Sequence, residues 1–342
     1  MRAKTAFLLA ALIGVHLILL FGGFFAPYDP TSQNRELPYA PPTRLHFRDG
    51  AGLHLRPFIY NWTTSVESDA PDTYKEDLSH CYPVRFFITG ASYKLLGVYE
   101  SDLHLFGIRE SGRIFLFGTD GYGRDEFSRV LFGGQISVAA GITATFIVLL
   151  AGSLLGIVAG YYGGLVDESL MAVTELFLSL PWLYFLLGVR AFLPLHLSTL
   201  RTFFLLTGVI GLIGWARPAR LVRGIVLSSR NRNYVLAARG FGASDLYILR
   251  RHILPATFSV LLTQASLLVP RYIAAEVTLS FFGLGVNEPV PSWGNMLTTL
   301  QQYSVLTSYA WLLAPAAALV VTSVLYSALA DVFHSQLESL TT

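Results

Sequence analysis

Three ionisable residues interrupt stretches of this 342-residue chain that are otherwise apolar: Glu175, Arg271 and Glu276. A charge inside a bilayer is costly and is by default a candidate for a substrate or ion path. If one helix begins near Pro255, a rise of 1.5 Å per residue puts Arg271 roughly 24 Å and Glu276 roughly 31 Å along it, close to the far interface of a roughly 30 Å core. Snorkelling or packing at a gate therefore competes with lining a path. Their five-residue separation turns them to different sides of the helix, so they are not expected to pair. Glu175, nearer the start of its span, is a path candidate or the holder of a buried structural hydrogen bond.

Spacing argues against other chemistry. His46, His54, His80 and His104, with Cys81, could suggest nickel or zinc. None shows H-x3-H or C-x2-C spacing, and His80 and Cys81 point oppositely if extended, so no metal site is expected. The single cysteine excludes an intramolecular disulfide. The glycines around Gly121–Gly123 and Gly283–Gly285 resemble phosphate loops only superficially and read as turns. The lysines are Lys4, Lys75 and Lys94, none preceded by glycine, so no G-x-x-x-x-G-K-[ST] phosphate cradle exists here. No catalytic set, cofactor or nucleic-acid partner is expected. His252, set among arginines, could sense pH or a partner, or simply lie at the surface.

These residues must be positioned by membrane helices. The chain is 53% hydrophobic and 13% charged, against about 25% charged in soluble domains. Thr5–Ala26, Val130–Val166 and Pro289–Ala330 contain no Asp, Glu, Lys or Arg, and about 20 apolar residues suffice to span a bilayer. Thr5–Ala26 has 22 residues and no A-x-A site, against about 7–15 for a secretion-signal core. It reads as an uncleaved first helix anchored by Arg2 and Lys4.

Charge orients the chain. Arg217, Arg220, Arg223, Arg230, Arg232, Arg239, Arg250 and Arg251 face one acid, Asp245, whereas residues 27–126 hold 14 acidic and 10 basic residues. The positive-inside rule puts the arginine segment in the cytoplasm and the 27–126 segment outside. The expected spans are 5–26, 136–160, 168–189, 202–219, 256–281 and 307–330, with both termini inside. Three regions follow: helix 1–26, an extracytoplasmic insertion 27–126, and a membrane-spanning body 127–342 whose cytoplasmic loop is 217–255. In the insertion, Leu53/Leu55, Phe58/Tyr60/Trp62 and Tyr82/Val84/Phe86/Ile88 alternate at period two between Gly and Pro clusters, which predicts short strands. Phe127, Val130 and Leu131 suit either a short interfacial helix or the first turn of the next span.

Tyr234–Pro255 carries the functional signal. Leu236, Ala237 and Ala238 lead to Gly242, which can close a helix in the left-handed conformation. Ser244 can cap the next helix, with Asp245 in its first turn, and Pro255 marks re-entry to the membrane. A polar helix pair that does not cross the bilayer, with a small-residue patch, suits docking to a cytoplasmic partner.

This segment resembles the "EAA" coupling loop of ABC importer permeases. Four further motifs resemble the oligopeptide/dipeptide/nickel permease family in the same order. They are Phe117-Gly118-Thr119-Asp120-Gly121-Tyr122-Gly123-Arg124-Asp125 with Ser128-Arg129; Gly160–Gly164; Ala219–Arg223; and Leu279–Gly285, including Gly283, with Pro291-Ser292-Trp293-Gly294. The match covers about residues 117–332 and is best to the C-type subunit. It implies an all-α polytopic membrane protein of about six transmembrane helices with the type I ABC importer permease fold, plus a small, mostly β extracytoplasmic insertion. It also implies a bacterial inner-membrane location and four kinds of neighbour: a second permease subunit in a heterodimer, two ATP-binding subunits that grip the loop, an extracytoplasmic substrate-binding protein, and the lipid bilayer. Peptide is the implied cargo, nickel or another small solute the alternative. Leu236 stands where the family has Glu, Glu288 where it has an uncharged residue, and the 27–116 insertion is longer than the family norm. A transporter or channel working alone would call for inverted repeats with broken helices, and none is seen. A membrane enzyme would need a nucleophile–base pair.

Overall fold

The computed structural model describes residues 2–49, 52–64, 74–95, 97–109, 111–181, 184–185, 188 and 199–341. The third expected span, 168–189, lies partly outside them. The chain divides into two compact units: Met1–Leu9, Val138–Glu276 and Ser323–Thr342 form a helical unit, and Ala10–Ser137 with Val277–Thr322 a β-containing one.

Helices α1 (Arg2–Leu20) and α2 (Gly22–Phe25) precede strands β1 (His46–Asp49), β2 (Gly52–Thr64), β3 (Tyr74–Pro83), β4 (Arg85–Leu95) and β5 (Tyr99–Gly107). Helices α3 (Glu126–Tyr162), α4 (Gly164–Ser179), α5 (Thr199–Gly214), α6 (Ala216–Arg230), α7 (Asn233–Gly240) and α8 (Asp245–Ile248) follow. After a π-helical turn at Leu249–Ile253 come α9 (Leu254–Phe281), α10 (Trp293–Leu297), α11 (Tyr303–Ser308) and α12 (Ala314–Thr341). Among the described residues four helices are long and apolar enough to cross a membrane, and α5 with α6, bent by 44°, makes a fifth candidate span.

In the β-containing unit, β1-β2-β3 form an antiparallel sheet and β4-β5 a hairpin. The period-two run Tyr82–Ile88 turns out to be a corner between two strands. Val84 lies between β3 and β4 with its N–H donated to the Pro57 carbonyl at 2.9 Å. Phe87 has φ 55°, so Phe86 and Phe87 are both exposed while Val84 and Ile88 are buried. Ile59, Val84, Phe106 and Ile114 make the core; Leu53 and Leu55, though in phase with each other, are exposed.

Phe127–Leu131 belongs to the first turns of α3, not to a separate helix. Asp125 Oδ2 accepts the Ser128 N–H at 2.8 Å and its hydroxyl at 2.6 Å, which caps α3 at its start.

In the helical unit, α3 and α6 run parallel and nearly touch along three glycines. A Cβ on Gly152 would lie 2.9 Å from the Trp215 carbonyl oxygen, on Gly156 2.4 Å from that of Ala219, and on Gly160 2.9 Å from that of Arg223. Small residues at four-residue spacing allow such close backbone approach between membrane helices. Opposite them Ala219, Val222 and Val226 are fully buried. Helix α4 runs antiparallel to α6: Asp167 meets Arg223, Thr174 and Glu175 meet Arg220, and Phe177 meets Trp215.

The arginine segment was expected to be a loop from residue 217. Helix α6 instead continues to Arg230, carrying Arg217, Arg220 and Arg223 on its surface. The carboxylates of α4 make this tolerable: Asp167 and Glu175 neutralise Arg223 and Arg220.

Candidate functional site

The hairpin of α7 and α8 is built as its sequence requires. Gly242 has φ 80°, and the Gly242 and Ala243 N–H groups bond the Arg239 and Ala238 carbonyls at 3.0 Å each, closing α7. Ser244 caps α8 by accepting the Tyr247 N–H at 3.3 Å. Pro255, which has no N–H to continue the ladder, directly follows the π-helical turn Leu249–Ile253 at the start of α9.

The inner face of this hairpin is fastened to the ends of α3 and α6. Val235, Ile248 and Ile253 pack with Ile157, Tyr161, Val222 and Val226, all buried, and Ala238 packs against the cluster. Tyr161 is the polar hub. Its hydroxyl donates to Asp245 at 2.5 Å and accepts from Arg239 at 3.2 Å. Arg230 reaches the Gly160 carbonyl at 2.9 Å. Opposite this anchored side, Leu236, Phe241, Leu246 and Tyr247 are 50%, 92%, 63% and 53% exposed, and Ala237 and Gly242 are exposed with them. Scattered exposed apolar residues are ordinary, but several crowded on one ordered hairpin mark an interaction surface. His252 lies against the rings of Tyr234 and Tyr247.

The motif residues of the β-containing unit form a second assembly. Thr119 Oγ1 donates to the Leu37 carbonyl and accepts the Ala40 N–H, both at 2.7 Å. Gly118 has φ 71° and Gly123 φ 70°, and a Cβ on Gly123 would fall 1.7 Å from the Asn34 carbonyl oxygen. Arg124 Nε bonds Asp120 at 2.7 Å, and its two terminal nitrogens take both oxygens of Glu288 at 2.6 and 3.2 Å. Arg129, almost fully buried, reaches Glu288 at 2.8 Å and lies 3.5 Å from Asp120. Glu288 thus balances two buried guanidiniums, which accounts for an acid at that position. Burial pushes the neighbouring Asp125 carboxyl up to about 7, against hydrogen bonds from Ser128 that favour its charged form. Gly283, φ 71°, ends α9, Gly285 packs against Ser280, and buried Trp293 donates Nε1–H to the Val130 carbonyl at 2.9 Å. Glu288→Ala is expected to destabilise the chain by about 1–3 kcal/mol, because it leaves buried arginine donors without their acceptor, with Glu288→Asp intermediate; thermal unfolding in detergent measures this.

The intramembrane candidates separate. Glu175 is not buried: its carboxylate is 72% exposed and takes a 2.7 Å hydrogen bond from Arg220. Arg271 is exposed and, with Arg217 and Tyr272, lines a cavity of about 110 Å³ within the helical unit. Glu276 is buried at 1% exposure, on a different side of α9 as the spacing predicts. The histidines of the 27–126 region have separate neighbours: His46 Glu76, His54 Asp49, His80 Ser79, and His104 the Ala26 and Ala91 carbonyls.

Tyr161 entered the sequence reading only as part of the Gly160–Gly164 motif; its contacts were missed, as was the Gly152–Gly156–Gly160 series. The glycine spacing within an apolar stretch was an available signal; the Tyr161 contacts, with residues 78 and 84 positions away, left none.

A family model described as binding-protein-dependent transport system inner membrane component matches residues 152–340. The dipeptide transport system permease protein DppC of Bacillus subtilis (strain 168) is 41% identical over 180 residues, covering 53% of this chain and 54% of that protein. The oligopeptide transport system permease protein OppC of the same strain is 35% identical over 223 residues, 65% of this chain and 70% of that one. The chain therefore spans about half the length of the first relative and more of the second. A chain of the inward-facing MetNI methionine ABC transporter aligns with TM-score 0.42 and 16% identity over 60% of this chain and 95% of its own length, a likeness too slight to argue from. With more than half of its residues matched, the chain belongs to the family of binding-protein-dependent transport system inner membrane components.

Proposed function

We propose that this chain forms half of the translocation path of an ATP-driven peptide importer, with the 217–255 region coupling it to two separate ATP-binding subunits. The relatives named for dipeptide and oligopeptide transport support peptide over nickel or another small solute as cargo. A second permease subunit completes the path as a heterodimer, and an extracytoplasmic binding protein delivers the cargo. The chain sits in the bacterial inner membrane with about six spans and both termini cytoplasmic. Its parts are helix 1–26, insertion 27–126 and permease body 127–342. A transporter working alone is not favoured.

One observation carries this reading: an ordered hairpin, anchored on one face, with Leu236, Ala237, Phe241, Leu246 and Tyr247 uncovered on the other. A partner that grips those residues moves Ala238, Ser244 and Asp245 with them. The Asp245–Tyr161 bond and the Arg230–Gly160 bond then carry the motion into α3 and α6, which the glycine contacts hold together. Arg271 and Glu276 on α9, and Glu175 on α4, are the proposed residues of the path. Asp120, Arg124, Gly118, Thr119, Gly123, Asp125, Gly283, Gly285 and Trp293 are the motif residues assigned to the outer side of the membrane.

Co-purification with tagged ATP-binding subunits tests the proposal. Gly242→Pro forces φ to about −65° where the chain needs 80°. It is expected to abolish recovery of the complex with membrane insertion intact; unchanged recovery would contradict the assignment. Tyr161→Phe removes two hydrogen bonds, about 1 kcal/mol each. It is expected to leave the complex recoverable but to lower uptake per ATP hydrolysed, read in proteoliposomes.

A further inference from the structure

The corner between the two sheets gathers three arginines. The Val84–Pro57 hydrogen bond sets Arg56 on β2 beside Arg85 at the start of β4. Arg85 pairs with Gly107 across the β4–β5 ladder, and Arg109 follows two residues later. All three are exposed and line one groove of about 320 Å³ with Phe86, Phe87 and Ile88; among the described residues no acid lines it. The ion pairs of this unit's described residues lie elsewhere, at His46–Glu76, His54–Asp49, Lys94–Glu100 and the Asp120–Glu288 cluster. Three like charges around one groove repel each other unless an anion shares it.

Two observations say what kind of anion. Phe86 and Phe87 are 60% and 66% exposed beside the arginines, and Phe87 holds φ 55°, a region that bulky residues rarely enter. The groove also sits against the end of the first membrane helix. The Phe87 ring centroid is 6.3 Å from that of Phe24, Gly23 abuts the Tyr93 ring, and His104 Nδ1 is 2.5 Å from the Ala26 carbonyl oxygen. Tyrosine rings such as that of Tyr93 concentrate where a helix leaves the hydrocarbon, and the guanidinium fork matches phosphate oxygens.

We infer that Arg56, Arg85 and Arg109 bind the phosphate of a phospholipid headgroup at the membrane surface where α2 ends, with Phe86 and Phe87 against its upper acyl chains. An anionic headgroup is preferred, because three guanidiniums face it. The β region then holds itself on the bilayer beside its own helix, whatever cargo the permease carries. Free phosphate gives the exposed phenylalanines nothing to cover; a phospholipid satisfies both halves of the groove.

Native mass spectrometry of the delipidated full chain in an uncharged detergent, titrated with phosphatidylglycerol, tests this. The Arg56→Gln/Arg85→Gln/Arg109→Gln variant is expected to lose one tightly bound lipid, with affinity falling roughly fivefold per arginine removed. Arg85→Gln alone, which leaves the rest of the fold untouched, is expected to weaken that lipid roughly fivefold, and Phe86→Ser/Phe87→Ser to weaken it without abolishing phosphate selectivity. Diacylglycerol of the same chain length is expected to bind poorly, and millimolar inorganic phosphate not to displace the lipid. Wild-type lipid retention by the arginine variants would overturn the inference. So would equal binding of diacylglycerol, which would make the groove merely apolar, or displacement by inorganic phosphate, which would make it a free-anion site.

Discussion

Aspartate at both Phe241 and Leu246 is expected to abolish recovery of this chain with its ATP-binding subunits while leaving its own folding and membrane insertion intact. Both side chains are largely uncovered, at 92% and 63% exposure, and surface changes away from packed features usually alter stability by no more than about 0.5 kcal/mol. In a complex the balance reverses. A central aromatic anchor is worth about 2 kcal/mol or more on truncation. A carboxylate buried there without a partner costs several kcal/mol beyond that. Two such changes should weaken association by a factor of at least about 100, read by pull-down and by loss of uptake. Leu236→Glu is the informative contrast. It places an acid where the resembling permeases carry one, so association should persist. If Phe241→Asp/Leu246→Asp assembles normally, the exposed face of the hairpin is not the contact.

Gly156→Val should be the most damaging single change in the helical unit. The new Cβ would lie 2.4 Å from the Ala219 carbonyl oxygen, 2.9 Å from the Val222 Cβ and 3.1 Å from the Arg223 nitrogen. Two of these are backbone atoms of a packed helix, so relief requires α3 and α6 to separate. Overpacking of this kind costs about 1–3 kcal/mol or more, and separation also loosens the cluster that seats the hairpin. Both thermal stability and coupled uptake are expected to fall. Gly224→Ala on α6 is the control: nothing lies within 4 Å of its Cβ position, and alanine gains up to about 1 kcal/mol over glycine in a helix. Equal effects at the two positions would mean that the glycine contacts are not what joins α3 to α6.

The sequence was most legible where local rules act alone. The apolar runs marked the long helices, and Gly242 with Ser244 marked the close of α7 and the start of α8, because caps depend on neighbouring residues. Trp293 and the Gly118–Asp125 turn were singled out by motif, but not their partners. Glu288 registered only as an oddity until Arg124 and Arg129 came to it from about 160 residues away. Arginines at 217, 220 and 223 signalled a loop by charge alone. All three lie on α6, where α4 supplies Glu175 to Arg220 and Asp167 to Arg223, a tertiary contribution that charge counting does not register. The alternation at Tyr82–Ile88 likewise missed the corner, which rests on one long-range hydrogen bond and on the backbone of Phe87.

The central claim is that an ordered cytosolic hairpin, seated on α3 and α6, is covered by the ATP-binding subunits. Cys81 is the single cysteine, so Cys81→Ser gives a background in which Phe241→Cys is the sole thiol. In oriented vesicles, an impermeant maleimide should label that thiol only from the cytosolic face, and assembly with the ATP-binding subunits should protect it. Labelling from the outer face, or equal labelling with and without those subunits, would contradict the account.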